Sequence, residues 1–128
     1  MNQASSNLYF TDTHEWILTE NNEATIGITD HAQESLGDIV FIEFPEIGTE
    51  VQAGEEIGVI ESVKAAADFY APVSGTVIAV NEAARDTPSL VNSAPNDDGW
   101  LIKIELTNHK ELEEYLSEAE YKKNIDED

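Results

Sequence analysis

IGVIESVKAAADFYAPVSG, residues 57–75, places one lysine between two strand-like runs. Ile57, Val59, Ile60 and Val63 lead into Lys64, Phe69, Tyr70 and Val73 lead away from it, and Pro72 and Gly75 punctuate the exit. Short β-branched and aromatic runs bounded by such breakers favour strands. Ala65, Ala66 and Ala67 would suit a helix begun at Glu61, but so short a helix does not stand alone. Gly58 before the lysine and Pro72 after it fit a hairpin better, with Val63, Lys64 and Ala65 at its tip. Residues 1–84 contain no other lysine or arginine, so this ammonium is isolated in an acidic and apolar field. A single lysine is ordinarily plain solvated surface. Isolation at a hairpin tip makes this one a candidate for chemistry.

Two roles need such a lysine. A catalytic amine that forms a Schiff base must have its pKa lowered by burial or by a neighbouring cation. Glu61 and Asp68 flank Lys64 instead, and carboxylates favour the ammonium. The other role is attachment: a separate enzyme acylates the amine, and the attached cofactor does the chemistry. The residues favour attachment.

Outward from the hairpin, the chain reads as short strands. Leu8 and Phe10, then Trp16 and Leu18, alternate with polar residues, Asn21-Asn22 marks a turn, and Ala24 to Ile28 is the next strand. His14 reads as a hydrogen-bonded structural histidine, because no second histidine lies at metal-site spacing. Asp30 with Gln33 suggests a capping box and Gly37 a stop, for a helix over His31 to Leu36. Ile39 to Phe44 is a continuous apolar strand ended by Pro45. Glycines at 48, 54 and 58 break the next segment into short pieces, and short strands with regular turns imply a sandwich or small barrel. Gly48-Thr49-Glu50-Val51 is echoed by Gly75-Thr76-Val77-Ile78, a faint internal repeat. Asn81 to Gly99 reads as a long loop with a helical turn at Pro88 to Val91. In the strand Trp100 to Leu106, Trp100, Ile102, Ile104 and Leu106 face one way and Lys103 and Glu105 the other. Asn108 with Glu111, and Ser117 with Glu120, predict capped helices over His109 to Leu116 and Glu118 to Lys123. Leu112, Tyr115 and Leu116 give the first of these a core-facing stripe.

The 128 residues suit one domain: a flexible lead-in at 1–7, a single unit over 8–124 and a frayed tail at 125–128. Six Lys plus Arg against 27 Asp plus Glu give a net charge of −21, which repels nucleic acid and anionic membrane. Cysteine is absent, excluding disulfides, a thiolate metal site and a catalytic thiol. No metal site is expected. No apolar run reaches the ~20 residues of a membrane span, and the N-terminus lacks a signal or transit pattern. These features predict a cytoplasmic protein, or one of the mitochondrial matrix if a presequence has been removed.

ESVKAAADFYAPVSG resembles the lipoyl-lysine hairpin of the glycine cleavage system H proteins. THEW at 13–16, GITDHAQESLGDIVFIEFPEIG at 27–48 and DGWLIKIE at 98–105 resemble the same family in the same order, so the likeness covers residues 8–124. Val63 and Ala65 separate the chain from biotin carriers, which have methionines there, and Val63 from the 2-oxoacid dehydrogenase lipoyl domains, which have Asp. The resemblance implies a mainly β fold, a flattened barrel-sandwich hybrid with short helices including C-terminal ones. It implies a carrier without catalytic residues, lipoate amide-linked to Lys64, and an arm that moves the aminomethyl group of glycine between enzymes. Those partners would be the pyridoxal-phosphate-dependent glycine decarboxylase, the tetrahydrofolate-dependent aminomethyltransferase and dihydrolipoamide dehydrogenase. A lipoyl or octanoyl transferase, or a lipoate ligase, would load the lysine. It further implies a cradle for the aminomethyl-bearing arm at Glu15 and Asp68, with Thr13. A lipoate relay that passes lipoyl groups to other acceptors is the alternative within the same class.

Overall fold

The computed structural model describes residues 7–126. Nine strands run in order: β1 Leu8–Phe10, β2 Glu15–Glu20, β3 Glu23–Ile28, β4 Ile39–Glu43, β5 Glu50–Val51, β6 Glu56–Ser62, β7 Ala66–Tyr70, β8 Gly75–Val80 and β9 Ile102–Leu106. Four short helices, α1 Asp30–Leu36, α2 Glu82–Asp86, α3 Leu90–Ser93 and α4 Glu118–Asp126, and a 3₁₀ turn at His109–Glu114 lie among the described residues. The strands form two antiparallel sheets, six-stranded in the order β1-β2-β3-β9-β8-β5 and three-stranded in the order β4-β6-β7. This is the mainly β two-sheet architecture expected, and it is not a closed barrel.

The repeated segments lie side by side: Glu50 pairs with Thr76 and Val51 with Gly75. Only glycine fits at 75, where a Cβ would sit 2.0 Å from the carbonyl oxygen of Glu105 on β9. Between the sheets lies the main core, with Ile17, Ile26, Val73, Val77, Leu101, Ile102 and Ile104 all but sealed from water. A second cluster, Phe10, Trp16 and Tyr121, joins α4 to the first two strands.

That second cluster corrects the reading of β2. Trp16 packs against Phe10 and Tyr121 while its neighbour Ile17 enters the main core, so the strand is buried on both sides at its start and Leu18 is left 40% exposed. Trp100 departs from its strand in the same way, packing on the second cluster while Leu101 fills the first.

The helix ends differ from expectation where side chains find distant partners. Thr29, not Asp30, caps α1, its hydroxyl accepting from the Ala32 amide, and Asp30 is the first helical residue. Gln33 bonds the Asp30 carboxylate instead of completing a box. Asn108 accepts from the Lys110 amide, and the Glu111 carboxylate is engaged by the amide and hydroxyl of Ser74 instead of returning to Asn108; the helix expected over His109 to Leu116 is a 3₁₀ turn that stops at Glu114. The Ser117 and Glu120 box forms as predicted, and α4 continues through Asp126. Residues 125 and 126 of the supposed tail are therefore helical; the rest of that tail, and the lead-in apart from residue 7, lie outside the described residues. The segment after Asn81 holds two helices rather than one turn: Asn81 caps α2 and donates to the carbonyls of Asp98 and Trp100, closing the loop at its base.

Candidate functional site

Lys64 sits where β6 turns into β7, a hairpin zipped by the pairs Val59 to Asp68, Ile60 to Ala67 and Glu61 to Ala66. The Ser62 amide donates to the Ala65 carbonyl at 2.8 Å. Its hydroxyl accepts from the amides of Lys64 at 3.1 Å and Ala65 at 3.2 Å and donates to the Ala65 carbonyl at 3.1 Å. One serine thus ties both ends of a four-residue turn, a local use of a hydroxyl that Ser favours. The Lys64 side chain is exposed at the tip, and among the described residues it forms no ion pair.

The body of the protein braces the turn from one side. The Val63 amide donates to the Asp38 carbonyl at 2.9 Å, and Ile39 pairs with Ser62. Gly37 ends α1 with φ of +82°, where an L side chain is strained. The aliphatic stem of Lys64 lies over it: a Cβ at position 37 would meet Lys64 Cε at 3.2 Å. Asn92 on α3 clamps this corner, donating to the Gly37 carbonyl and Gln33 Oε1, both at 2.9 Å, and accepting from the Ile39 amide at 2.9 Å. Sequence reading missed Ser62 and Asn92. A serine two residues before the lysine was a legible turn signal; nothing local pointed to Asn92.

Thr13 and Glu15 are brought together. The hydroxyls of Thr11 and Thr13 each donate to Glu15 Oε1 at 2.7 Å, and the Glu15 amide donates back to Thr11 Oγ1 at 3.0 Å. The turn between them works because His14 takes a left-handed φ of 71°, a conformation in which His is enriched. Glu15 is 6% exposed. Burial pushes its carboxyl above the ordinary range, against the pull of the Thr13 and Thr11 hydroxyls, and Asp12 adds to the rise. The carboxylate also contributes to raising the half-buried Tyr115 phenol, after burial and Glu111, and Tyr115 donates to the Pro72 carbonyl just past β7. His14 has the structural bond expected of it, Nδ1 to Tyr121 Oη at 2.7 Å.

Asp68 lies apart, exposed on β7, with the Tyr70 hydroxyl 3.4 Å from Oδ2 and that phenol raised chiefly by the Asp68 charge. Among the described residues no hydrogen bond joins Asp68 to Glu15 or Thr13.

Two sheets that present an exposed lysine on a locked, braced hairpin have the geometry expected of a carrier domain. The comparisons agree with that class. The glycine cleavage H-protein family matches residues 8–128. The chain is 55% identical to the glycine cleavage system H protein of Legionella pneumophila (strain Corby) over 123 residues, 96% of this chain and 98% of that one. It is likewise 55% identical to that of Saccharophagus degradans over 129 residues, with 100% and 99% covered. A crystal structure of a glycine cleavage system H protein from Mycobacterium marinum superimposes with a TM-score of 0.85 at 36% identity, covering 94% of this chain and 97% of that one. The chain belongs to the glycine cleavage H-protein family, and it is a carrier of the glycine cleavage system, not an enzyme.

Proposed function

We propose that Lys64 is the attachment point, amide-linked to lipoate, and that the loaded side chain serves glycine decarboxylase, the aminomethyltransferase and dihydrolipoamide dehydrogenase in turn. The observation that carries this is the exposed Lys64, without an ion pair among the described residues, on a turn tied by Ser62. The residues present fit the group: an amine with no carboxylate ion pair among the described residues is open to acylation, and a rigid base aims it. Lipoate, when bound, would supply a dithiolane whose S–S bond opens to take the aminomethyl fragment on one sulfur, and the dithiol left after transfer would be oxidised back to the dithiolane by the dehydrogenase. A fixed base with a mobile end raises the effective concentration of such a group at whichever active site is docked.

Glu15, with Thr13, and Asp68 form our proposed cradle for the cationic amine of the cargo. A buried carboxylate already ordered by two hydroxyls gives a charge-assisted acceptor in a water-poor setting. Tyr115, whose phenol feels the Glu15 charge and donates to the Pro72 carbonyl, supports a location near the exit of β7.

Intact mass and peptide mapping of the protein from its native host test the attachment: one lipoyl adduct, on Lys64. Lys64→Arg keeps the charge but does not accept the acyl group. It retains thermal stability to within about 0.5 kcal/mol and loses glycine-dependent bicarbonate exchange with the purified decarboxylase. An adduct on another lysine, or an exchange-competent Lys64→Arg, would overturn the reading.

A further inference from the structure

Two successive residues of β4 point into water. Val40 is 54% and Phe41 51% exposed, while Ile39 and Ile42 on either side are buried. A regular strand alternates its side chains, so two outward neighbours need an extra residue, and the pairing of β4 with β6 shifts between Ile39 and Phe41. Bulges re-aim side chains in this way beside functional sites. Phe41 pairs with Glu61, Ile39 with Ser62, and the Asp38 carbonyl holds the amide of Val63, itself 67% exposed. Three large apolar side chains therefore stand in water on neighbouring positions of two paired segments, at the foot of Lys64. Exposed carboxylates flank these positions: Asp38 precedes the strand, Glu43 ends it, and Glu61 pairs with Phe41.

We infer that Val40, Phe41 and Val63 form the docking patch of the enzyme that acylates Lys64, a partner that brings an apolar contact ringed by basic side chains. The inference rests on the reading of Lys64 as the attachment point. Reach selects this occupant. Before acylation the amine extends only a four-carbon stem, and that stem lies along Gly37, so an enzyme that acts on it must press against the hairpin tip. Enzymes that act afterwards meet a longer arm and can stop farther away. Charge sets the rim, because Lys64 is the one lysine or arginine before Arg85. In the step served, Lys64 Nζ gives up one proton to a base of that enzyme, attacks the acyl carbon of an activated donor, an acyl adenylate or thioester, and loses a second proton to the same base or to the leaving group as the adduct collapses. The amide C–N bond forms, the bond to the adenylate or thiol breaks, and no electrons are exchanged.

The test follows the initial rate of lipoylation of unmodified protein by intact mass, using lipoate, ATP and a purified ATP-dependent lipoate ligase. Phe41→Ser and Val63→Ser are each compared with wild type and with Ile47→Ser, an equally exposed apolar residue (62%) beyond the far end of β4. Loss of a central apolar contact is expected to lower kcat/KM by about tenfold in the first two and leave Ile47→Ser unchanged. After exhaustive lipoylation, the same variants should serve glycine decarboxylase with KM within about twofold of wild type. Lipoylation at the wild-type rate in both variants overturns the patch. An equal loss in the decarboxylase step overturns its assignment to the acylating enzyme. Wild type that accepts no lipoate on Lys64 at all would instead remove the attachment reading on which the inference stands.

Discussion

Glu15 is held between two opposing forces, a buried site that penalises its charge and two threonine hydroxyls that stabilise it, and burial prevails. A carboxyl whose pKa is raised above its ordinary 4.5 keeps its proton in the folded chain at pH values where the unfolded chain has lost it. Its penalty is therefore fully present above the folded value and fades as the pH falls through that value toward 4.5. Glu15→Gln removes the charge but keeps an oxygen to accept from Thr11 and Thr13. We expect it to raise the melting temperature at about pH 8, with the advantage shrinking toward about pH 5; a pH-independent gap in thermal melts would contradict the buried-charge account. Ser62 makes the complementary case. Ser62→Ala removes the hydroxyl bonds of the Lys64 turn, costing up to about 1 kcal/mol because the turn is solvated. Its larger effect should appear as slower lipoylation of Lys64, and an unchanged rate would show that the turn needs no hydroxyl.

Among the elements, α4 is held chiefly through Tyr121, with Ile125 packed beside it. Tyr121 stacks on Phe10, with ring centroids 4.8 Å apart, and its hydroxyl reaches both Thr29 Oγ1 and His14 Nδ1 at 2.7 Å. Thr29 caps α1, whose far end is Gly37 beneath Lys64, and His14 lies between Thr13 and Glu15. The C-terminal helix thus ties together the elements that support both parts of the site. Tyr121→Phe keeps the stacked ring and deletes the hub. In chemical denaturation it should cost about 1–3 kcal/mol, the range for disrupting buried hydrogen bonds. Ser117→Ala, which removes a solvated cap, should cost about 1 kcal/mol. Equal stabilities of Tyr121→Phe and wild type would show that α4 is held by packing alone.

At the scale of the whole molecule, the charge of −21 exceeds what solubility needs in 128 residues. It suits association with basic docking faces, and such attraction is screened over about 10 Å at 0.1 M salt. The KM of glycine decarboxylase for the lipoylated protein should rise with ionic strength while kcat holds; a salt-independent KM would detach the acidity from docking. Among the described residues no helix is long and apolar enough to cross a membrane.

The lysine hairpin was legible because its determinants are local, β-branched runs and breakers; the serine that closes its turn was just as local but went unread. The internal repeat and the Ser117 cap were readable for the same reason. Strand β2 was misread because periodicity assumes one buried face, whereas α4 supplies a second core that takes Trp16 and leaves Leu18 in water. The cap of α1 moved to Thr29 because its amide is held by the His14 carbonyl and its hydroxyl by Tyr121, 92 residues away. Asn92 has partners 53 to 59 residues away, and nothing nearby in the chain announces them. Sequence alone therefore determined which lysine is presented and on what element, since those choices rest on backbone preferences over a few residues. Tertiary structure decided what braces that lysine, how deeply Glu15 is buried and where the apolar patch opens, because burial and long-range hydrogen bonds exist only once distant segments have packed.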